Sequence, residues 1–258
     1  MTPSELFDLT GKVAVITGGA GDIGRVYARA LCEAGGKVVL ADVKAEPAAR
    51  AAAALEADGF TATGVSVDVT DVESTQAMAA AAVEAFGGID ILINNAAIMV
   101  DLPQFGLSNM PANEWDRVMN VNVKGPLLCI QAVVPSMTGR GGGRIINGLS
   151  AGGFMKMGGI YGVSKLALHA LTANLASELG PHGINVNAIA PGLIESDSGY
   201  ASLPKDSPMR AGLEMTIPGK KSGPPQDLIG TLLLLCSRAG DWINGQSISV
   251  DGGWIMRL

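Results

Sequence analysis

Thr17-Gly18-Gly19-Ala20-Gly21-Asp22-Ile23-Gly24 is the stretch on which the reading of this chain turns. A β-branched apolar run, Lys12 to Thr17, precedes it and a segment of helical character follows, so the glycines occupy a strand-to-helix turn. Glycine in such a turn lets backbone amides approach a pyrophosphate, whose charge the N-terminus of the following helix stabilises. A glycine-rich turn alone is weak evidence. Asp42 stands at the end of the second β-branched run, about 20 residues on, and completes the pattern expected of a dinucleotide-binding βαβ unit. Gly18, Gly21, Asp22, Ile23 and Gly24 are therefore candidate cofactor contacts.

Asp42 can accept hydrogen bonds from the adenosine ribose hydroxyls, and its charge opposes the extra phosphate of NADP, so NAD is the expected cofactor. The alternative is an ordinary loop aspartate capping the next helix, with Lys44 partly offsetting the repulsion. Asp68 and Val69 follow the third run, where Asp68 is either a hydrogen-bond partner of the adenine amino group or a simple turn residue.

Outward from the turn, β-branched runs alternate with alanine-rich segments. The runs are Lys12–Thr17, Lys37–Ala41, Ala62–Val67, Ile89–Asn94, Arg144–Asn147, Asn185–Ile189 and Ser247–Val250. Helices are expected near 23–35, 46–58, 71–86, 111–137, 159–180 and 225–237, long enough to serve as crossovers between parallel strands. This rhythm predicts one α/β domain over 1–258, a Rossmann-like doubly wound parallel sheet of seven strands with helices on both faces. A βα barrel shares the alternation, but the glycine-dominated first turn favours the open sheet. The rhythm breaks between Gly192 and Pro225, where prolines and glycines accumulate, and a substrate lid is expected near 193–223.

Composition excludes several classes. The net charge of -6 argues against a duplex nucleic-acid binder, which needs a basic face. The first residues lack the basic start and apolar core of a secretory signal, and the longest apolar run, Leu228 to Cys236, is too short to span a bilayer. A cytoplasmic protein without a membrane partner is expected. Cys32, Cys129 and Cys236 lie far apart in apolar helix-like stretches and read as buried thiols, and neither His169 nor His182 shows metal-ligand spacing. No metal site is expected.

Tyr161-Gly162-Val163-Ser164-Lys165 opens a helix, and the spacing of four places phenol and ammonium on one face. A tyrosine is a poor base near neutrality, but an adjacent cation stabilises its phenolate and lowers its pKa. Taken alone such a pentapeptide is an ordinary helix surface. Around it stand further motifs in order: Asn94-Asn95-Ala96-Ala97, Asn120-Val121-Asn122-Val123-Lys124-Gly125, Ser150, Pro191-Gly192, Gly245-Gln246 and Val250-Asp251-Gly252-Gly253. With these, the chain resembles the short-chain dehydrogenase/reductase family from about Leu9 to Gly253.

The resemblance implies a tetrad of Asn122, Ser150, Tyr161 and Lys165. In the oxidative direction Tyr161 takes the hydroxyl proton while Ser150 hydrogen-bonds the same oxygen. Lys165 grips the nicotinamide ribose and tunes Tyr161, and the backbone of Asn122 helps hold a water beside that lysine. Asn94 and Asn95, with Ala96, match a structural motif next to the adenosine. Pro191 and Gly192 line the nicotinamide, Ile194 contacts its carboxamide through backbone, and Ser196 stands where the family often has threonine. Family members are commonly tetramers, so a homotetramer is expected.

Three departures stand out. Asp22 occupies the position before Ile23 where the family has its middle glycine; the carboxylate either weakens pyrophosphate binding or caps the helix with its side chain turned aside, and capping is the expectation. Ala97 replaces a usual glycine. The Ser150 to Tyr161 segment is shorter than common, which gives a tighter path beside the substrate.

The candidate pocket residues, Met99, Phe154, Met155, Met157, Ile194, Tyr200 and Leu203, are largely apolar. They favour an alicyclic, aromatic or terpenoid alcohol/ketone pair over a charged sugar acid. The expected activity is thus hydride transfer between NAD(H) and a hydrophobic secondary alcohol or ketone. Two competitors are an NADPH-dependent ketoreductase acting on acyl thioesters, disfavoured by Asp42 and the acidic balance, and a non-catalytic dinucleotide-binding regulator, which has no need of the tetrad.

Overall fold

The computed structural model describes residues 2–103, 105–156 and 158–255. Seven strands, β1 (Val13–Thr17), β2 (Lys37–Asp42), β3 (Ala62–Ser66), β4 (Ile91–Asn94), β5 (Gly143–Gly148), β6 (Ile184–Pro191) and β7 (Ser247–Val250), form one sheet. Their order is β3-β2-β1-β4-β5-β6-β7, and every pairing is parallel. The expected doubly wound sheet is therefore present, and the barrel is excluded.

Ten α-helices connect and flank the strands among the described residues: α1 (Pro3–Phe7), α2 (Asp22–Glu33), α3 (Ala45–Ala57), α4 (Val72–Phe86), α5 (Ala112–Met119), α6 (Gly125–Gly139), α7 (Gly159–Leu179), α8 (Asp197–Ser202), α9 (Pro208–Thr216) and α10 (Ile229–Cys236). All five residues of β1 are buried because the sheet is covered on both faces, which explains why this strand reads as a continuous apolar run. On one face Ala14, Ile16, Val38, Leu40 and Ile93 pack with Tyr27 and Leu31 of α2 and with Leu232 and Leu235 of α10. On the other, Val15, Val39, Leu92 and Ile145 pack with Met78 of α4 and with Ile130 and Val133 of α6. The three cysteines are buried and free. No helix among the described residues is long and apolar enough to cross a membrane.

Two expectations change. The helix expected over 111–137 is interrupted by a turn of π-helix, Asn120–Lys124, in which the Gly125 amide donates to the Asn120 carbonyl five residues back. Pro126 supplies a reason, since it has no amide hydrogen to give the Asn122 carbonyl that an α-helix would aim at it. The lid region also carries α8 and α9. Ser196 and Ser207 start them by accepting from the amides of Gly199 at 3.0 Å and Arg210 at 3.2 Å.

Strand order reverses at β1, which lies between β2 and β4, so a crevice opens at the carboxyl ends of β1 and β4. Register places Thr17, Asn94 and Asn147 side by side at that edge.

Candidate active site

The glycine-rich turn is shaped by contacts that leave no room for side chains. A Cβ on Gly18, whose φ is +62°, would lie 3.0 Å from the Ala96 Cα, and one on Gly24 would lie 2.4 Å from the Gly18 carbonyl oxygen. Asn95 locks the turn from the neighbouring strand: its Nδ2 donates to the carbonyls of Thr17 at 3.2 Å and Gly18 at 3.0 Å. The Thr17 hydroxyl in turn accepts from the amides of Asn95 and Ala96, both at 3.2 Å. The start of α2 thus faces the crevice across a bare backbone, an arrangement suited to a pyrophosphate.

Asp22 does not cap α2. The cap position is Gly21, with extended backbone, and it makes no side-chain cap bond. One residue inside the helix, Asp22 turns its carboxylate outward. Oδ1 accepts from Arg25 Nη2 at 2.6 Å, and Oδ2 accepts from the backbone amide of Asp197, in the lid, at 2.5 Å. The side chain is turned aside as expected, but toward a different partner.

Beside the turn lies a cavity of about 560 Å³, lined by Gly18, Asp42, Val67, Asp68, Val69 and Ala96 among others, a size that accommodates an adenosine. Asp42 Oδ2 accepts from the Ala20 amide at 3.2 Å and Oδ1 from the Lys44 amide at 3.1 Å, so the carboxylate is held at the cavity wall. Asp68 closes a turn. Its Oδ1 accepts from the Thr70 amide at 2.9 Å and from the Thr70 hydroxyl at 2.7 Å, and these bonds hold its pKa below the ordinary carboxylate value. This favours the turn reading of Asp68. Arg117 and Asn120 also line the cavity, and sequence reasoning did not mark them as site residues.

The four residues of the expected tetrad come from three parts of the chain: the π turn, the end of β5 and α7. Asn122 is fully buried in the π turn. Its Oδ1 accepts from the Ile98 amide at 2.8 Å, while Nδ2 donates to the Ile98 carbonyl at 3.1 Å and to the Ser164 hydroxyl at 3.0 Å. Ser150 follows β5, and its hydroxyl accepts from the Gly152 amide at 3.1 Å; a Cβ on Gly152 would lie 3.4 Å from that oxygen and 3.7 Å from Tyr161 Cε1, so the two side chains border the same spot. Tyr161 and Lys165 lie one turn apart on α7. The Lys165 ammonium is 5.5 Å from the Tyr161 ring centroid and donates to the Gly148 carbonyl at 2.6 Å.

Electrostatics here differs from the sequence expectation. Burial pushes the Tyr161 phenol up to about 12, an effect the neighbouring Ser150 hydroxyl only partly offsets. Burial also pushes Lys165 down to about 8. The lysine does not lower the phenol, because its ammonium is bound to the Gly148 carbonyl rather than to the phenolic oxygen.

Pro191 ends β6, and the Gly192 amide donates to the Val250 carbonyl at 3.0 Å. Ile194 is buried and pairs with Gly223, so the lid's two ends are joined. Ser196 is buried. Its oxygen accepts from the Gly199 amide at 3.0 Å and pairs with the Ser198 hydroxyl at 3.4 Å.

The apolar candidates divide. Phe154 packs edge-on against His169 with centroids 5.6 Å apart, and His169 is eight residues beyond Tyr161 on α7, about 12 Å by helical rise. Tyr200 stacks under the Arg210 guanidinium at 4.6 Å and lines an outer cleft with Arg25 and Arg29. The Met99 carbonyl accepts from Ser202 Oγ at 3.1 Å, which joins it to α8, and Met155 and Leu203 are half-buried. Met157 lies outside the described residues.

Sequence reasoning passed over a buried polar chain behind the site. Asn94 Nδ2 donates to Asn147 Oδ1 at 2.9 Å, and Asn147 Nδ2 donates to Thr172 Oγ1 at 2.9 Å. An asparagine ending an apolar β-branched strand was the available signal.

Comparison with known proteins agrees with this geometry. A sequence family described as enoyl-(acyl carrier protein) reductase matches residues 18–255. An uncharacterized oxidoreductase of Mycobacterium tuberculosis is 43% identical over 98% of this chain and 100% of its own length. The human dehydrogenase/reductase SDR family member 4 is 38% identical over 97% of this chain and 90% of its own. A solved gluconate 5-dehydrogenase from Burkholderia cenocepacia, in complex with NADP and tartrate, superposes with a TM-score of 0.91 at 32% identity, covering 98% of both chains. Fold, ordered motifs and relatives together make this chain an oxidoreductase of the short-chain dehydrogenase/reductase family.

Proposed function

We propose that the chain is an NAD-dependent dehydrogenase that interconverts a hydrophobic secondary alcohol and its ketone, working within one domain under the lid at 193–223. The observation that carries this reading is that Ser150 and Tyr161 border one spot, since a Cβ on Gly152 would lie 3.4 Å from Ser150 Oγ and 3.7 Å from Tyr161 Cε1, one helical turn from the buried Lys165 ammonium. Two hydroxyls from different elements then converge where a single substrate oxygen can bond both.

The residues present fit a dinucleotide. The Gly18, Gly21 and Gly24 cradle and the backbone of Asp22 and Ile23 suit the pyrophosphate, and Asn95 and Ala96 brace that cradle. Asp42 suits the adenosine ribose, beside Val69 and with Asp68 at the adenine end. Pro191, Gly192, Ile194 and Ser196 border the nicotinamide end. When bound, the cofactor supplies the hydride acceptor for oxidation and the donor for reduction. Tyr161 takes the hydroxyl proton during oxidation, and Ser150 steadies the oxygen it leaves. For Tyr161 to act as the base, the Lys165 ammonium would turn from the Gly148 carbonyl toward the phenolic oxygen and stabilise the phenolate. Asn122 uses its whole side chain to tie the π turn to Ile98 and Ser164, which leaves its backbone carbonyl to hold a water near Lys165.

NAD over NADP rests on Asp42, whose charge stays at the wall where a ribose phosphate would lie. The gluconate 5-dehydrogenase relative binds NADP, so both cofactors belong in the assay. The apolar side chains of Met99, Met155, Ile194 and Leu203 support an alicyclic, aromatic or terpenoid substrate. Trp115 and Leu166, exposed on α5 and α7, support association into a homotetramer, which light scattering reads directly.

The test is a panel of such alcohols and ketones, with gluconate included, assayed with NAD and NADP in parallel. Tyr161→Phe is expected to lower turnover by about 10²- to 10⁴-fold, the range of a lost proton-transfer group. Near-parental turnover by that variant overturns the mechanism, and preference for gluconate with NADP overturns the substrate and cofactor assignments. Tight NAD binding without turnover on any member points instead to a non-catalytic regulator.

A further inference from the structure

The lid is an internally braced unit with few attachments. Its ends are joined by the Glu195 amide donating to the Gly223 carbonyl at 2.9 Å and the Gly223 amide donating to the Leu193 carbonyl at 3.0 Å. Inside it, the buried Arg210 bonds Glu214 Oε1 at 3.1 Å and the Leu203 carbonyl at 3.3 Å and stacks on Tyr200. Ser222 Oγ bonds Glu214 Oε1 at 2.9 Å and Glu195 Oε1 at 3.2 Å. Outside contacts are made by Ser202 to the Met99 carbonyl, by Thr216 to the indole of Trp254 at 2.7 Å, and by Asp197 to Asp22.

The contact to Asp22 joins the lid directly to the cofactor turn. The Asp22 carboxylate spans 175 residues of sequence to reach the Asp197 amide, while its other oxygen is paired with Arg25. Asp22 also begins α2, so its own backbone faces the crevice while its side chain faces the lid. The pairing with Arg25 answers the objection that a carboxylate here repels a pyrophosphate, since the charge is countered on the same helix.

We propose that Asp22 is a positioning residue that latches the lid to the glycine-rich turn, so that the lid's leading edge stays over the pyrophosphate end of the crevice and slows departure of the dinucleotide. The proposal rests on the dinucleotide reading above. A glycine in this place has no side chain to form the latch, so the departure from the family's turn is the functional element.

Hydrogen–deuterium exchange of the ligand-free protein tests the latch without any cofactor. Asp22→Ala is expected to raise exchange at least tenfold in peptides covering 196–203 and to leave peptides within α2 unchanged. Asp22→Asn keeps an acceptor oxygen for the Asp197 amide and is expected to restore exchange to within threefold of the parent. The second readout is NAD dissociation followed by stopped-flow fluorescence: faster by about tenfold in Asp22→Ala, largely rescued in Asp22→Asn. Lid exchange within twofold of the parent in Asp22→Ala overturns the latch, as does equal acceleration in α2, which would mean general loosening. Failure of Asn to rescue either readout overturns it too, and so does tighter NAD binding by Asp22→Gly at unchanged stability. If the parent itself binds no dinucleotide, the function reading fails while the exchange arm still decides the contact.

Discussion

Asn122→Ala is the substitution for which the structure gives the clearest magnitude. The side chain is fully buried and makes three hydrogen bonds, two to the backbone of Ile98 and one to Ser164. Each is worth about 1 kcal/mol net, so their loss costs about 3 kcal/mol. Ile98 is only half-buried, so water can reach its freed amide and carbonyl, which holds their penalty at the low end. With an unfolding entropy of about 2.1 cal/mol/K per residue, 258 residues give about 0.5 kcal/mol/K, and Tm should fall by about 6 °C. Differential scanning calorimetry of the ligand-free protein measures this. Ser164→Ala removes the bond to Asn122 and the 2.7 Å bond to the Tyr161 carbonyl, and should lower Tm by about 4 °C. The double variant should fall short of additivity by about 1 kcal/mol, because the two residues share one bond. A fall under 2 °C for Asn122→Ala, or strict additivity with Ser164→Ala, refutes the view that this side chain braces the π turn.

Three further outcomes are expected. Gly24→Ala places a Cβ 2.4 Å from the Gly18 carbonyl oxygen and 2.9 Å from the Gly19 Cα, so backbone must move. Stability should drop by about 1–3 kcal/mol and NAD affinity at least tenfold by calorimetric titration, and unchanged affinity would separate the turn from the cofactor. Asp42→Asn removes the charge at the cavity wall and should raise the NADP to NAD ratio of kcat/KM about tenfold, or 1.4 kcal/mol; a ratio that does not move removes Asp42 as the determinant. For pH, Lys165 has an ordinary value of 10.5 and a folded value near 8, so between those values the unfolded chain holds more protons and this group makes stability rise with pH. The Tm of the parent relative to Lys165→Met should therefore climb from pH 7.5 to 10, and a gap constant within 1 °C contradicts burial of the ammonium.

What the sequence made legible, and what it hid, follows from the range of the forces involved. The strands β1, β2, β4, β5 and β6 were readable because their residues are mostly buried, which leaves little freedom of residue choice, whereas the edge strands β3 and β7 are mostly half-buried and were placed by the rhythm around them. The glycine turn was readable because Gly18 and Gly24 occupy positions that no side chain can enter. The interruption at 120–124 was hidden in an apolar segment with good helical periodicity, although Pro126, four residues after Asn122, carried the local signal. Helices α8 and α9 were hidden because they are short and held by serine caps and the buried Arg210 more than by an apolar stripe.

Phe154 and Tyr200 show why a pocket is harder to read than a motif. Both are apolar residues close in sequence to the site, but the ring of one is taken up by His169 and that of the other by Arg210, partners that spacing does not reveal. Asp22 shows the same limit at higher consequence. Local rules favour aspartate as a helix cap, yet the extended backbone of Gly21 places the cap one residue earlier, and Asp22 enters the first turn of α2 with its carboxylate pointing outward. Its acceptors were then free for whatever the fold brought near, which was Arg25 and an amide from a lid whose helices local patterning did not announce. A departure from a family's turn therefore needs its long-range partner before it can be judged a defect. Here that partner turns a carboxylate expected to cap its own helix into one whose charge is countered by Arg25 and whose second oxygen is bound to the Asp197 amide.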